Sequence, residues 1–251
     1  APAVFFNRPI GPHRRVAWLT LDLEAIRSVR QRLGGTVNDA VLTVVSGALG
    51  AVLRQRRDLP RDGMLRAAVP VSVRTAEEIG VPGNRVSVWL LPLPVGESVP
   101  RYRLAQIAQS TAELKAGQHA TGATLLAEAA NWAGGAMVEL AARALNGAHV
   151  YNLIVTNVPG PAIPLYFLDA PLRALYPHLP LFEHQGLGVA LLSYCGRLHV
   201  GLTVDWDHEA LLADLVVELP RAFRALAEAS NPAAPGPRVA LRGEEGVRAA
   251  G

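Results

Sequence analysis

The spacing of apolar residues in the first part of the chain predicts one strand followed by two helices. Apolar and polar residues alternate over residues 16–23, which is typical of a half-buried strand. The period changes to that of a helix over residues 24–33, where two glycines end it. A second helix is predicted over residues 37–57. It is apolar on more than one face, and Thr36 and Asp39 have nearly the spacing of a capping box, so we expect a buried central helix.

The remaining pattern adds strands and helices in an order that indicates a mixed sheet. Strands are predicted over residues 64–73, 85–94, 150–158, 165–169, 172–176, 188–194 and 197–205, and helices over residues 100–119, 125–145 and 210–229. Pro92 and Pro94 confine the end of the strand over residues 85–94 to an edge of the sheet or to its exit from the sheet, and Cys195-Gly196 predicts a tight hairpin. We therefore expect an α+β fold with helices packed on a mixed β-sheet, in one domain over residues 1–230 with a mobile tail over residues 231–251.

Composition narrows the functional classes. Half of the 251 residues are hydrophobic, which is enough for a sizeable core, and no run of about 20 apolar residues predicts a transmembrane helix. The first residues lack the pattern of a secretory signal. Cys195 is the only cysteine, so an intrachain disulfide is excluded and a cytoplasmic location is the simpler expectation. Basic residues are scattered, which argues against a nucleic-acid surface and leaves attraction to anionic lipid as a weaker interpretation.

Three motifs, taken in their order along the chain, carry a family resemblance. Thr36-Val37-Asn38-Asp39-Ala40-Val41-Leu42 opens the central helix, Val69-Pro70-Val71-Ser72-Val73-Arg74 belongs to a strand and its end, and Thr156-Asn157-Val158-Pro159-Gly160-Pro161 ends another strand. Together they resemble the C-terminal half of the bacterial wax ester synthase/diacylglycerol acyltransferases, over about residues 7–229. The catalytic His-His-x-x-x-Asp-Gly segment of that family lies in its N-terminal half, and this sequence contains no such segment.

The resemblance implies a fold similar to one half of chloramphenicol acetyltransferase and of nonribosomal condensation domains, whose two α/β halves face each other across a channel. It implies an O-acyltransferase that makes wax esters or triacylglycerols from acyl-CoA and a long-chain alcohol or diacylglycerol, with acyl-CoA as substrate and no cofactor. In that family the second histidine of the N-terminal segment removes the proton of the acceptor hydroxyl. The implied partner is an N-terminal half that is separately encoded or removed, and residues 1–251 alone are expected to be inactive.

Two alternatives stay open beside this interpretation. One is a non-catalytic lipid-binding or lipid-droplet docking module of the same fold, in contact with membranes or lipid inclusions. The other is a complete hydrolase built on His184 and Asp205, which lacks a nucleophile in the sequence. Because no histidine pair has the spacing of a zinc site, we expect neither a metal ligand nor a catalytic residue in this chain. The choice of acceptor and of acyl length stays open.

Four polar residues are candidates for the site or for contact between the two halves. Asn38 and Asp39 suit helix capping, because they begin a helix whose first N–H groups have no partners within the helix. The resemblance places the pair toward the active-site channel, with Asn38 near the acceptor and Asp39 mainly structural. Arg74 is either a surface residue or the bidentate partner of the aspartate in the N-terminal segment. Asn84 matches a Gly-Asn of the family and is explained equally well as a turn residue.

The most specific match is a turn of five residues: Asn157, Val158, Pro159, Gly160 and Pro161. Both prolines fix the backbone angle φ, and the glycine between them relieves crowding, so the segment ends a strand with a rigid turn. None of these side chains is a nucleophile. The resemblance implies that the turn binds substrate or shapes the acyl channel, while a purely structural turn is the alternative.

Overall fold

The structure, a computed structural model, describes residues 1–72, 86–118, 150–161 and 163–231. Within these ranges the elements, in chain order, are β1 (Arg14–Asp22), α1 (Leu23–Leu33), α2 (Val37–Gln55), β2 (Leu65–Ser72), β3 (Val86–Leu93), α3 (Pro100–Gln118), β4 (Leu153–Pro159), β5 (Tyr166–Phe167), β6 (Ala170–Pro171), β7 (Leu187–Tyr194), β8 (Arg197–Asp205) and α4 (Glu209–Ala229). A single turn of 3₁₀ helix, Trp206–His208, precedes α4.

Six strands form one mixed sheet in the order β1-β8-β7-β4-β2-β3. Strand β4 runs parallel to both of its neighbours, β7 and β2, and the other pairs are antiparallel. The predicted α+β class is confirmed. So are the tight β7–β8 hairpin and the edge position of β3, where Pro92 lies opposite Arg66.

Helix α2 forms the centre of the core. Thr36 caps its N-terminus in a capping box with Asp39, as predicted, and the apolar residues from Ala40 to Leu53 are almost all buried. By length and composition α2 is apolar enough to cross a membrane, yet 78% of its most apolar window is buried inside the fold. It therefore has the character of a core helix, enclosed by the sheet on one side and by α3 and α4 on the others.

The opposite face of β7 and β8 is covered by an extended segment, residues 172–185, which we call the strap. Its Pro177 carbonyl lies directly over Gly201 of β8, and Leu179 and Leu181 pack over Gly188 of β7. A side chain at position 201 would overlap that carbonyl, so the glycine permits the close approach.

Two sequence predictions are wrong in this region. Residues 172–176 form no strand, and the strand predicted over residues 165–169 is reduced to the two-residue β5. Pro171, Pro177 and Pro180 remove N–H donors from this part of the chain. The strap packs on the sheet through side chains and the Pro177 carbonyl instead of pairing with it. The helix predicted over residues 125–145, the loop before β3 and the tail beyond Asn231 lie outside the described residues.

A buried cation fixes the turn that leads into α3. Arg103 is 4% exposed, and its Nε and Nη2 atoms both donate hydrogen bonds to the Glu97 carbonyl oxygen. Burial, and after it the charge of Arg54, lower the pKa of Arg103 to about 10, while Glu97 acts in the opposite direction. The side chain is still charged at neutral pH. The lack of a side chain on Gly47 leaves room for the guanidinium against α2.

We predict that Arg103→Ala lowers the free energy of unfolding by about 3 kcal/mol, because it leaves a cavity in place of a buried side chain and removes both donors from the partly buried Glu97 carbonyl. Arg101→Ala, at a partly exposed position on the same helix, should change stability by less than about 0.5 kcal/mol. Urea denaturation of both variants measures the difference. Equal stabilities would show that the guanidinium does not hold the turn.

Candidate functional site

The candidate motifs meet at one edge of the sheet. The carboxyl ends of β2, β4 and β7 lie on this edge because the three strands are parallel. Helix α2 runs back over the sheet: its last turns contact Val95, which follows β3 beside the beginning of β2. The N-terminus of α2 therefore lies toward the carboxyl ends of the strands. We call this the carboxyl edge; it carries Asn38 and Asp39 as well as residues 157–161.

Asp39 is held by three hydrogen bonds at the N-terminus of α2. Its Oδ2 accepts bonds from the Thr36 N–H (2.7 Å) and from Thr36 Oγ1 (2.8 Å), and its Oδ1 accepts one from Thr111 Oγ1 of α3 (2.8 Å). The residue is 2% exposed. Because these three donors all belong to the protein, the carboxylate stabilises the N-terminus of α2 and joins it to α3.

Asn38, the neighbour of Asp39, is in a different situation. It is partly exposed, and within the described residues its side chain has no hydrogen-bond partner. No hydrogen bond among these residues joins it to Asn157. Its amide is therefore free to bind a group outside the described part of the chain, while Asp39 fixes the backbone that carries it.

The first three of the five residues predicted as a turn, residues 157–159, are the end of strand β4, which lies against β7. Residues 157–159 pair in parallel with residues 191–193, and the Gly160 N–H donates to Ser193 Oγ at 3.2 Å. A Cβ at position 160 would overlap the Ser193 carbonyl oxygen, which explains the glycine by close approach. Val158 and Pro161 are exposed at the carboxyl edge. Residues 157–161 thus present an apolar surface at the carboxyl edge.

A short hairpin, β5–β6, follows the turn and is fixed at its base by Tyr194. The Tyr194 hydroxyl accepts from the Leu165 N–H (2.7 Å) and donates to the Leu172 carbonyl (2.9 Å), so one buried side chain holds both strands. Beyond this anchor the tip is apolar and exposed: Tyr166, Phe167 and Leu168 are 65%, 76% and 85% exposed. Val88, Leu90 and Val158 add exposed apolar side chains on the helix-free side of the sheet and at its carboxyl edge.

The core contains a void of about 10 Å³ beneath α2, lined by aliphatic residues that include Val44, Leu191 and Val200. That volume suits about one water molecule and not an acyl chain. This void is therefore not an acyl-binding channel.

The remaining candidates divide into those outside and those inside the described residues. Arg74 and Asn84 lie outside them. Asp205 is buried and accepts hydrogen bonds from the Gly11 N–H, from Arg14 and from the Asp207 N–H, so its partners are not histidines. Cys195 is exposed in the β7–β8 turn. Within the described residues, no group of three His, Cys, Asp or Glu side chains could hold a metal ion.

Three residues that support the motifs were not predicted to do so. Thr111 binds Asp39 from a neighbouring helix, and a threonine inside a helical pattern gives no signal of such a contact. Ser193 and Tyr194 belong to a segment that matches the family, yet only the register of β7 against β4 shows that they hold the turn and the hairpin.

The fold has counterparts among solved structures of condensation domains. The first condensation domain of the calcium-dependent antibiotic synthetase superposes with a TM-score of 0.56 at 22% identity, over 93% of this chain and 48% of that one. This likeness concerns the fold alone. The wax ester synthase/diacylglycerol acyltransferase from Marinobacter aquaeolei VT8 superposes with a TM-score of 0.73 at 26% identity, over 92% of this chain and 52% of that one. The predicted condensation-domain-like fold is confirmed.

The sequence comparisons then give the family. The family model of the WS/DGAT C-terminal domain matches residues 82–227, and that of the wax ester synthase/diacylglycerol acyltransferase catalytic domain matches residues 1–41. The O-acyltransferase WSD of Acinetobacter baylyi is 34% identical over 203 residues, which are 80% of this chain and 44% of that protein. The chain belongs to the wax ester synthase/diacylglycerol acyltransferase family, as its motifs predicted. It spans about half the length of the curated relatives it matches.

We predict opposite behaviour for the two neighbours at the start of α2. Asp39→Ala should lower the free energy of unfolding by about 2 to 3 kcal/mol, because three donors lose their acceptor. Asn38→Ala should change it by less than about 0.5 kcal/mol, because its side chain has no partner in the described structure. Chemical denaturation of both variants measures these values. A loss for Asn38→Ala as large as that for Asp39→Ala would contradict the division of roles.

Proposed function

We propose that this chain is the C-terminal part of an O-acyltransferase that makes wax esters or triacylglycerols from acyl-CoA and a long-chain alcohol or diacylglycerol. The catalytic His-His-x-x-x-Asp-Gly segment would come from a separate or removed N-terminal half. The main support is that the family's motifs lie at one edge of a folded domain, while the sequence contains no such segment. Acyl-CoA would serve as substrate, and no cofactor is required.

In this proposal the proton transfer and the substrate-binding walls belong to different polypeptide segments. A histidine of the N-terminal half removes the proton of the acceptor hydroxyl, the oxygen attacks the thioester carbonyl, and the CoA thiolate leaves. Residues 157–161 form a rigid wall of the acyl channel, and Asn38 binds near the acceptor. Arg74 pairs with the aspartate of the N-terminal segment, and Asn84 lies near the same boundary. The proposal leaves the acceptor and the acyl length open, since both depend on the complete channel.

Exposed apolar surface supports a partner of this kind. Burying the hairpin tip, together with Val88, Leu90 and Val158, would remove apolar area from water, and large exposed patches commonly mark binding surfaces. The same surface favours the second candidate, a non-catalytic module that binds lipid through the hairpin. A cytoplasmic location with peripheral contact to membranes or lipid inclusions is compatible with both.

We predict that the purified 251-residue chain transfers no acyl group from palmitoyl-CoA to hexadecanol or dipalmitoylglycerol, because it lacks the base. Adding the cognate polypeptide that carries the His-His-x-x-x-Asp-Gly segment should restore ester formation, measured by release of free CoA and by mass spectrometry of the ester.

A matched control replaces the second histidine of the added polypeptide with alanine, which should abolish the restored activity. Turnover by the purified chain alone would contradict the proposal. A stable monomer that binds lipid vesicles and neither binds nor is activated by the added polypeptide would favour the non-catalytic module.

A further inference from the structure

A buried histidine lies beneath the strap. His199 of β8 is 1% exposed and faces away from the helices, on the side of the sheet that residues 172–185 cover. Its Nδ1 is 3.2 Å from Thr20 Oγ1 of β1. The hydroxyl of Tyr176, on the strap, is 3.0 Å from the same Thr20 oxygen. The Tyr176 ring stands edge-on to the imidazole, with centroids 5.0 Å apart and planes at 80°.

This arrangement is compatible with a neutral His199 imidazole and destabilises a charged one. In the neutral form, the Thr20 hydroxyl can donate to Nδ1 while it accepts from Tyr176, or it can accept from Nδ1–H. The Nε2 atom is buried and has no hydrogen-bond partner within the described residues. A doubly protonated ring would therefore bury an N–H without an acceptor and a positive charge without a counter-charge.

Among the described residues, the groups around His199 do not offset the cost of a buried positive charge on its ring. On its own strand the nearest charge is that of Arg197, which repels an imidazolium. On β1, Thr20 is within hydrogen-bond distance of the His199 imidazole, and Trp18 packs against the ring of Tyr176. The strap contributes Tyr176 and, further along, His178, and β7 contributes Tyr194, whose ring centroid is 6.5 Å away. Burial, and after it Arg197, lower the pKa of His199 from its ordinary value of 6.5.

The strap itself is held mainly by side chains. At one end of the strap the Leu172 N–H donates a hydrogen bond to the Leu165 carbonyl. At the other end the Gln185 N–H donates one to the Phe182 carbonyl. Between them, residues 173–181 form no backbone hydrogen bond to the sheet among the described residues. Their contacts include the Tyr176–Thr20 hydrogen bond, the ring contacts of Tyr176 with His199 and Trp18, the ring contact of His178 with Trp18, and the packing over Gly188 and Gly201. A segment held this way can open without breaking the sheet.

We propose that His199 is a proton-sensitive catch, which keeps the strap closed on the sheet while neutral and releases it when protonated. The sign follows from the lowered pKa. In the open state the imidazole returns to a pKa near 6.5 and takes up a proton first, so the closed strap loses stability as pH falls through 6.5 toward the lower closed-state value. The strap connects the hairpin to β7, and Tyr194 continues to hold the hairpin base when the strap opens, so the movement is confined to the strap.

Limited trypsin digestion of the full 251-residue chain tests the catch, because Arg173 is an exposed cleavage position on the strap. We expect the rate of cleavage after Arg173, divided at each pH by the rate for a free peptide of residues 168–180, to rise about five- to tenfold between pH 7.5 and pH 5.5. Cleavage after the buried Arg103 of α3 should stay slow over the same range. An unchanged ratio, or one that rises only together with cleavage after Arg103, would overturn the proposal.

Three variants separate the catch from other effects. His199→Gln should remove the pH response of the strap, and Thr20→Val should open the strap already at pH 7.5, because it removes the hydroxyl that joins Tyr176 to the imidazole. His178→Gln, an exposed histidine on the strap, is the matched control and should keep the wild-type response. A pH response that persists in His199→Gln, or disappears in His178→Gln, would assign the titration to another group.

Discussion

The fold depends on the burial of α2. A helix that is apolar on more than one face must be covered on several sides, and here the sheet, α3 and α4 supply the cover. Its position then determines the rest of the carboxyl edge. With its C-terminal turns against Val95, its capped N-terminus lies beside the ends of the parallel strands, where Asn38 and the five-residue turn share one edge. The hydrogen bonds of Asp39 tie this end of α2 to α3.

The regular elements were predictable because their signals are local. The capping box of α2, the edge position of β3 and the β7–β8 turn each follow from residues adjacent in sequence. The strap was not predictable, because its apolar residues resemble those of a strand and only contact with Gly188 and Gly201 shows that it packs on the sheet. Alternation of apolar and polar residues indicates that one face of a segment is buried. It does not indicate whether the backbone forms hydrogen bonds with a neighbouring strand.

The candidate site shows the same division. Residues 38, 39 and 157–161 could be named as candidates from the sequence, because they belong to the motifs that carry the family resemblance. Their supports, Thr111, Ser193 and Tyr194, act through contacts between elements far apart in the chain, and no local pattern encodes these contacts. His199 is a similar case: as an isolated histidine in a strand it gives no signal, and only the strap above it makes its protonation costly.

The proposed role of residues 157–161 as a wall of the acyl channel depends on how this segment is held. It continues β4 beside β7, the Gly160 N–H donates to Ser193 Oγ, and apolar side chains beside it are exposed. Photocrosslinking with an acyl-CoA that carries a diazirine in its acyl chain, in the complex with the His-His-x-x-x-Asp-Gly polypeptide, tests this account most directly. It predicts labelled peptides that contain residues 157–161, with labelling competed by unmodified acyl-CoA. Competed labelling confined to the other polypeptide would contradict it.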